Sequence, residues 1–229
     1  MDVDQRFALM QLSDQFFPSG SFTLSHGLET LVQNKQIQSA DELHTFLRLF
    51  LHNRVGSSDL VALSQAYRAS SKGDILEICS IDLKLYAQTP LQVVRDTQHK
   101  SGRALLMVAS SIWQTPQLNA IDAHIRTGQM QGSHPTIFGA TGQAAGLSED
   151  DTLFAFLHGF LAGLCGVGIR LGILGHIKAQ LILKEMATDL ETVAGQAKTI
   201  SLEEIWSSTP FIDIAQMTHR HLPQKLFIN

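Results

Sequence analysis

One apolar run constrains the architecture of this chain more than any other feature. From Leu153 to Leu174 the sequence reads LFAFLHGFLAGLCGVGIRLGIL, interrupted only by His158 and Arg170. A bilayer-spanning helix needs about 20 apolar residues, and an arginine inside the hydrocarbon is expensive, so a buried helix is favoured over a membrane-embedded one. The spacings Gly159 to Gly163 and Gly168 to Gly172 put glycine on one helical face, where a neighbouring backbone can approach closely. The run is therefore read as the central core helix of a soluble fold.

The remaining segments also carry helical signals. Ser39-Ala-Asp-Glu42, Ser148-Glu-Asp-Asp151 and Ser201-Leu-Glu-Glu204 each place a hydroxyl three residues before a carboxylate, the arrangement that satisfies unpaired amides at a helix start. After the first, Leu43, Phe46, Leu47, Phe50 and Leu51 recur at helical intervals, and Leu60, Leu63 and Tyr67 continue beyond Gly56-Ser57-Ser58-Asp59. That break predicts a turn between two antiparallel helices. Further helices are expected through Ile75 to Leu85, from near Thr89 to Val108 and on to Trp113, from Ala120 to Met130, and from about Ile173 to Ala194. Strand alternation is hard to find, so the expectation is an all-α, single-domain helical bundle over residues 1–229.

One segment breaks the helical pattern near the start. Leu12 to Glu29 reads LSDQFFPSGSFTLSHGLE. Pro18 cannot continue a helix, Gly20 can take a positive φ, and Ser25 is placed to cap the helix that follows. Phe16, Phe17 and Phe22 would be costly to leave in water, so the segment is expected to tuck against a core or a partner.

Composition excludes several functions. With 17 basic and 21 acidic residues the formal charge is -4, leaving no basic surplus to draw the protein to nucleic acid or an anionic membrane. Cys79 and Cys165 lie far apart among apolar residues, which suits buried thiols in a reducing cytoplasm. The N-terminus MDVDQRF lacks the apolar stretch of a secretory signal.

Catalytic patterns are weak. Most of the histidines are scattered without the spacing that builds a metal site, and only His219-Arg220-His221 is a tight cluster. On a helix those two imidazoles would face different ways, so a polar or partner-facing helix end is favoured over metal binding. Gly166-Val-Gly168-Ile-Arg-Leu-Gly172 imitates a dinucleotide fingerprint, but its third glycine falls one position late and no strand precedes it. No P-loop and no GxSxG elbow occurs. A helical acid-base enzyme using His219 with Asp213 is the main rival from another class, and their spacing of six residues does not share a helical face. No cofactor, catalytic residue or metal ligand is expected.

Four segments in order carry a resemblance: LSDQFFPSGSFTLSHGLE, HPTIFG, GIRLGILGHIKAQ and PFIDIAQMTHRHLPQKLF. Together they closely resemble the urease accessory protein F family, with its SD.xFP.G.F..S.GLE opening and D.A...H....RLF ending. The resemblance covers nearly the whole chain. Two departures stand out. Lys225 sits where an arginine is usual, keeping the charge but losing the bidentate fork, and the segment Gln98 to Arg103 is less typical.

The resemblance implies an all-α homodimer that acts as a non-catalytic scaffold in nickel delivery to apo-urease. It implies binding to accessory protein D, called H in some species, and through that complex to the GTPase accessory protein G. By the same likeness, residues 209–229 form a tail that orders on accessory protein D, with Phe211, His219, Arg220, Lys225 and Phe227 as anchors. Phe17, Pro18, Gly20 and Gly27 shape a partner-facing surface in the opening segment. Glu29 reads either as a solvated carboxylate in the first turn of a helix or as a GTPase contact. Arg170 reads as a buried ion pair or carbonyl cap, or as a dimer or partner contact.

Overall fold

The computed structural model describes residues 1–18 and 23–228. The capping signals sit where helices start. Ser39 Oγ accepts from Glu42 N while the Glu42 carboxylate accepts from Ser39 N, opening α3 (Ala40–Phe50). Ser148 Oγ accepts from Asp151 N at 3.0 Å and opens the long helix Glu149–Arg170. Ser201 begins a short 3₁₀ turn, Leu202–Glu204, with the same reciprocal bonding. Before α3 come α1 (Val3–Ser13) and the short α2 (Leu28–Gln33).

The expected turn at Gly56–Asp59 is not there. The backbone instead stays helical from Ala40 to Ser71: α3 passes into a π-helical stretch, Leu51–Asp59, and then into α4 (Leu60–Ser71). Gly56, Ser57 and Ser58 look like a breaker cluster in sequence, yet all three are buried, and Gly56 lies against Val193. Widening the helix accommodates the cluster without reversing the chain. Small side chains then let a distant segment, residues 206–208, dock: Trp206 N donates to Ser57 O at 3.3 Å, Ser57 Oγ donates to Trp206 O at 2.7 Å, and Ser208 N donates to Asn53 O at 2.9 Å.

The middle of the chain continues with α5 (Ile75–Gln88), α6 (Gln92–Trp113), α7 (Pro116–Arg126) and α8 (His134–Ala144). Helix α7 starts earlier than the periodicity suggests because Thr115 Oγ1 caps it and Pro116 fills its first turn. The loop entering α8 is held by one buried carboxylate. Asp82 accepts from the amides of Gln131, Gly132 and Ser133 at 2.6, 3.0 and 2.7 Å.

The apolar run forms α9 (Glu149–Arg170), packed against α1, α8 and α10 (His176–Glu185). Among the described residues it is the one helix long and apolar enough to cross a membrane, and over half of its apolar window is buried inside the fold. Gly159 and Gly163 lie beside Ser13 O and the Gln15 side chain, the close approach that their spacing predicts. Gly172 does not share that face. It lies beyond the helix end at φ 78°, and Ile173 N donates back to Gly168 O at 3.1 Å, so it terminates α9 instead of packing it. The expected single helix from Ile173 is divided at the buried Met186 into α10 and α11 (Ala187–Ala197).

The chain closes with α12 (Pro210–Thr218) and a 3₁₀ turn, His219–His221. Among the described residues no strand occurs, only an isolated parallel bridge between Leu24 and Ile228. The helices form one domain around a continuous hydrophobic core running from Ala8 to Phe227, so the all-α expectation holds.

Candidate interaction site

The opening segment and the tail, the two irregular ends of the sequence, meet in space. Their junction is built on Gly27. At φ 86° it holds a conformation that side chains rarely adopt, and a Cβ there would meet Ala215, Gln216 and Ile212 O of α12, each at 3.2 Å. The residue therefore lets the chain turn into α2 and lets α12 lie directly on the turn. Ser25 is buried, but the N-cap of α2 is Gly27 and, among the described residues, no side chain caps it, which corrects the expected role of Ser25.

Glu29, two residues on, is fully buried. Its Oε2 lies 2.7 Å from His219 Nε2, and its Oε1 accepts from Leu226 N at 2.7 Å. The solvated reading of Glu29 fails, because the carboxylate is spent on the tail. Gln33, one turn further along α2, donates from Nε2 to Gln224 O at 2.9 Å, and Ile228 N donates to Thr23 O at 2.8 Å. The tail is thus stitched to residues 23–33 along its length.

Arg170 is exposed, so the buried reading does not hold. Its Nε donates to Gly166 O at 3.3 Å, as a carbonyl cap, and its guanidinium carbon stands 4.3 Å from the centre of the Phe227 ring. Phe227 is itself buried. This cation–π contact clamps the last turn of α9 over the end of the chain.

The other anchors divide by exposure. Lys225 and Arg220 are exposed, and Lys225 Nζ donates to Arg220 O at 2.8 Å, so the lysine braces the tail itself. Arg220 Nε donates to His221 Nε2 at 3.0 Å, while His219 is buried, so the two imidazoles do face different ways. Paired with Glu29, His219 does not form an acid-base couple with Asp213, whose carboxylate instead accepts from Thr209 Oγ1 at 3.2 Å. Burial pushes the Asp213 carboxyl above its ordinary range against the opposing pull of Arg54.

Phe211 is exposed and lines a groove with Ile37, Phe46 and Leu49 of the α3 side. With Ile214 and Met217 it forms an apolar stripe on α12, the three residues being 51%, 61% and 54% exposed. Phe17 stacks on Trp113 with ring centres 6.3 Å apart, whereas Phe16 is 90% exposed and Pro18 is exposed. The expectation that both phenylalanines tuck in holds for Phe17 alone. Gly20 and Phe22 lie outside the described residues.

Sequence reasoning missed Arg54, His26 and His134, which converge beside the opening segment. Burial lowers the pKa of both histidines from 6.5 to about 4, with Arg54 and His134 adding to the effect on His26. His26 also takes a positive φ of 50°. No spacing in the sequence links these residues. Among the described residues, no group of three or more His, Cys, Asp or Glu is placed to hold a metal ion.

Comparison with known proteins places this chain in a family. The sequence profile of UreF matches residues 37–187. The chain belongs to the UreF family of urease accessory proteins. It is similar to the urease accessory protein UreF of Trichodesmium erythraeum, with 51% identity over all of this chain and 98% of that protein. It is also similar to UreF of Haemophilus influenzae strain Rd, at 31% identity over 97% of this chain and 94% of the relative. UreF of Corynebacterium glutamicum is 24% identical over the full length of both. UreF proteins support urease maturation, and the stitched tail and opening segment are read in that setting.

Proposed function

We propose that this UreF-family chain is a non-catalytic, cytoplasmic scaffold of urease maturation. As a homodimer it binds accessory protein D/H and, in that complex, recruits and regulates the GTPase accessory protein G, so that nickel reaches apo-urease as cargo. The observation that carries the reading is the exposed apolar stripe Phe211, Ile214 and Met217, on a helix whose opposite face is fastened to Gly27 and Glu29. Such a stripe on a rigidly seated helix suits recognition, because aromatic and aliphatic anchors dominate interface energetics. The junction of opening and tail is then the partner-facing region, and the exposed Arg220 and Lys225 supply charge at its rim.

The test is co-expression with accessory proteins D and G, followed by size-exclusion chromatography with and without GTP and nickel. A Phe211→Asp/Ile214→Asp variant alters exposed positions only and is expected to fold normally but to lose accessory protein D. A chain cut after Ser208 is expected to lose it too. Undiminished co-elution of the double variant would sink the reading.

A further inference from the structure

Between the opening segment, the π-helical stretch and helices α6, α8, α9 and α12 lies a cavity of about 110 Å³. That is several times the ~10–15 Å³ needed by one buried water. Phe50, Phe138, Phe156 and Phe160 make much of its wall. Three polar residues on the same wall carry buried atoms that have no hydrogen-bond partner among the described residues: Arg54 Nη1, Gln216 Nε2 and Gln15 Oε1. Gln15 is fixed in that orientation because its Nε2 donates to Gly159 O at 2.6 Å.

Arg54 is the decisive group. It is 4% exposed, and among the described residues no salt bridge involves it. A guanidinium so placed has lost its hydration without gaining a counter-ion in contact, which proteins tolerate poorly. Two carboxyls face it at longer range. Asp59 Oδ1 accepts from Gln98 Nε2 at 3.1 Å, and Asp213 is engaged with Thr209; burial pushes both toward the neutral form. His26 and His134 also line the cavity or its edge and, with pKa values of about 4, are uncharged at neutral pH. Arg54 also stands in the π-helical stretch, and such widened turns recur at functional sites.

We propose that this cavity binds a small free oxyanion bearing one hydroxyl, of the hydrogen phosphate or hydroxycarboxylate type. Arg54 Nη1 is the charged donor to the anion, Gln216 Nε2 is the second donor, and Gln15 Oε1 accepts the ligand hydroxyl. Charge-assisted bonds from a planar guanidinium suit such an anion, and the aromatic wall excludes the water that would compete for it. The site stands apart from the exposed stripe of α12, so its failure would leave the assembly reading untouched.

Purified full-length chain is titrated with phosphate, glycolate or acetate at constant ionic strength, with chloride as the balancing salt, and followed by calorimetry and thermal melting. Phosphate and glycolate are expected to bind saturably and raise the melting temperature, and acetate, lacking the hydroxyl, to bind more weakly. Arg54→Met is expected to weaken binding at least tenfold. If Arg54→Met does not fold, Gln216→Leu carries the test and is expected to weaken binding severalfold. A cavity filled by water only would give melting temperatures indifferent to the anion, and that result, or undiminished binding in the folded variants, would overturn the proposal.

Discussion

Glu29 Oε2 and His219 Nε2 lie 2.7 Å apart although 190 residues separate them in sequence. Both side chains are nearly or wholly buried, at 0% and 6% exposure. The second oxygen of Glu29 is occupied by Leu226 N, so one carboxylate fastens the tail at two points seven residues apart. The tail thereby has a seat on its own chain, and the strength of that seat is measurable.

Glu29→Ala removes both points and strands His219 in an apolar setting, at a cost of about 3–5 kcal/mol, the range for breaking a buried ion or polar pair. Glu29→Gln keeps an acceptor for Leu226 N and is expected to cost less. Hydrogen exchange reads the difference locally. Amides of residues 210–228 should lose protection in Glu29→Ala while those of α4 and α8 keep theirs; uniform loss across the chain would mean that the carboxylate supports the whole fold.

Phe227 and Arg170 contribute unequally to the same seat. Phe227→Ala empties a buried position and is expected to cost about 3–5 kcal/mol, whereas Arg170→Gln at an exposed cation–π contact is expected to cost about 0.5–1 kcal/mol. Urea denaturation midpoints of the two variants, compared at equal slope, check the ranking. Equal losses would show that the arginine does more than cover the ring.

Asp82 anchors a separate loop. Asp82→Ala leaves the amides of Gln131, Gly132 and Ser133 without their acceptor, two of those bonds being buried, and about 3 kcal/mol or more should be lost. Asp82→Asn, with one acceptor oxygen left, should recover part of it. A melting curve unchanged by Asp82→Ala would remove the carboxylate from the set of structural anchors.

Acid should loosen the fold through two imidazoles. His26 and His134 have folded-state pKa values of about 4 against an ordinary 6.5, so the unfolded chain takes up protons first as pH falls. Their stabilising contribution is therefore complete above pH 6.5, declines down to about pH 4 and levels off below, at ~1.4 kcal/mol per pKa unit for each ring. Asp59 and Asp213, with raised pKa values, oppose this trend in part. Denaturation midpoints at pH 7, 5.5 and 4.5 should fall less steeply in His134→Gln than in the parent; identical slopes would assign acid sensitivity elsewhere.

Much of this architecture is legible in the residues. The serines at positions 39, 148 and 201 locate helix starts because capping is a local exchange of hydrogen bonds between a side chain and amides three residues away. The burial of α9 is legible because Arg170 and His158 make a bilayer costly. The continuity of α3 and α4 is not, since glycine and serines signal a break unless a neighbour such as Val193 packs on them. Glu29 reads as a surface carboxylate until the tail is in place, because its partners His219 and Leu226 are remote in sequence. Arg54 gave no local sign at all: a lone arginine in a polar stretch becomes conspicuous only when its surroundings are found to be aromatic.

The π-helical stretch also sets rotational phase. Each residue of an α-helix advances the chain by about 100° and each π-helical residue by less, so the nine-residue stretch between α3 and α4 turns everything after it relative to everything before. Deleting a residue between Leu51 and Asp59 would change that phase and swing the core-facing edge of α4 away from α8 while that of α3 stayed in place. The carbonyls of Asn53 and Ser57 that receive the segment ahead of α12 would be displaced together. The position of the tail is therefore metered by a helix more than 140 residues upstream of it, and length changes in that helix, even where composition is conserved, should be read as changes to the tail.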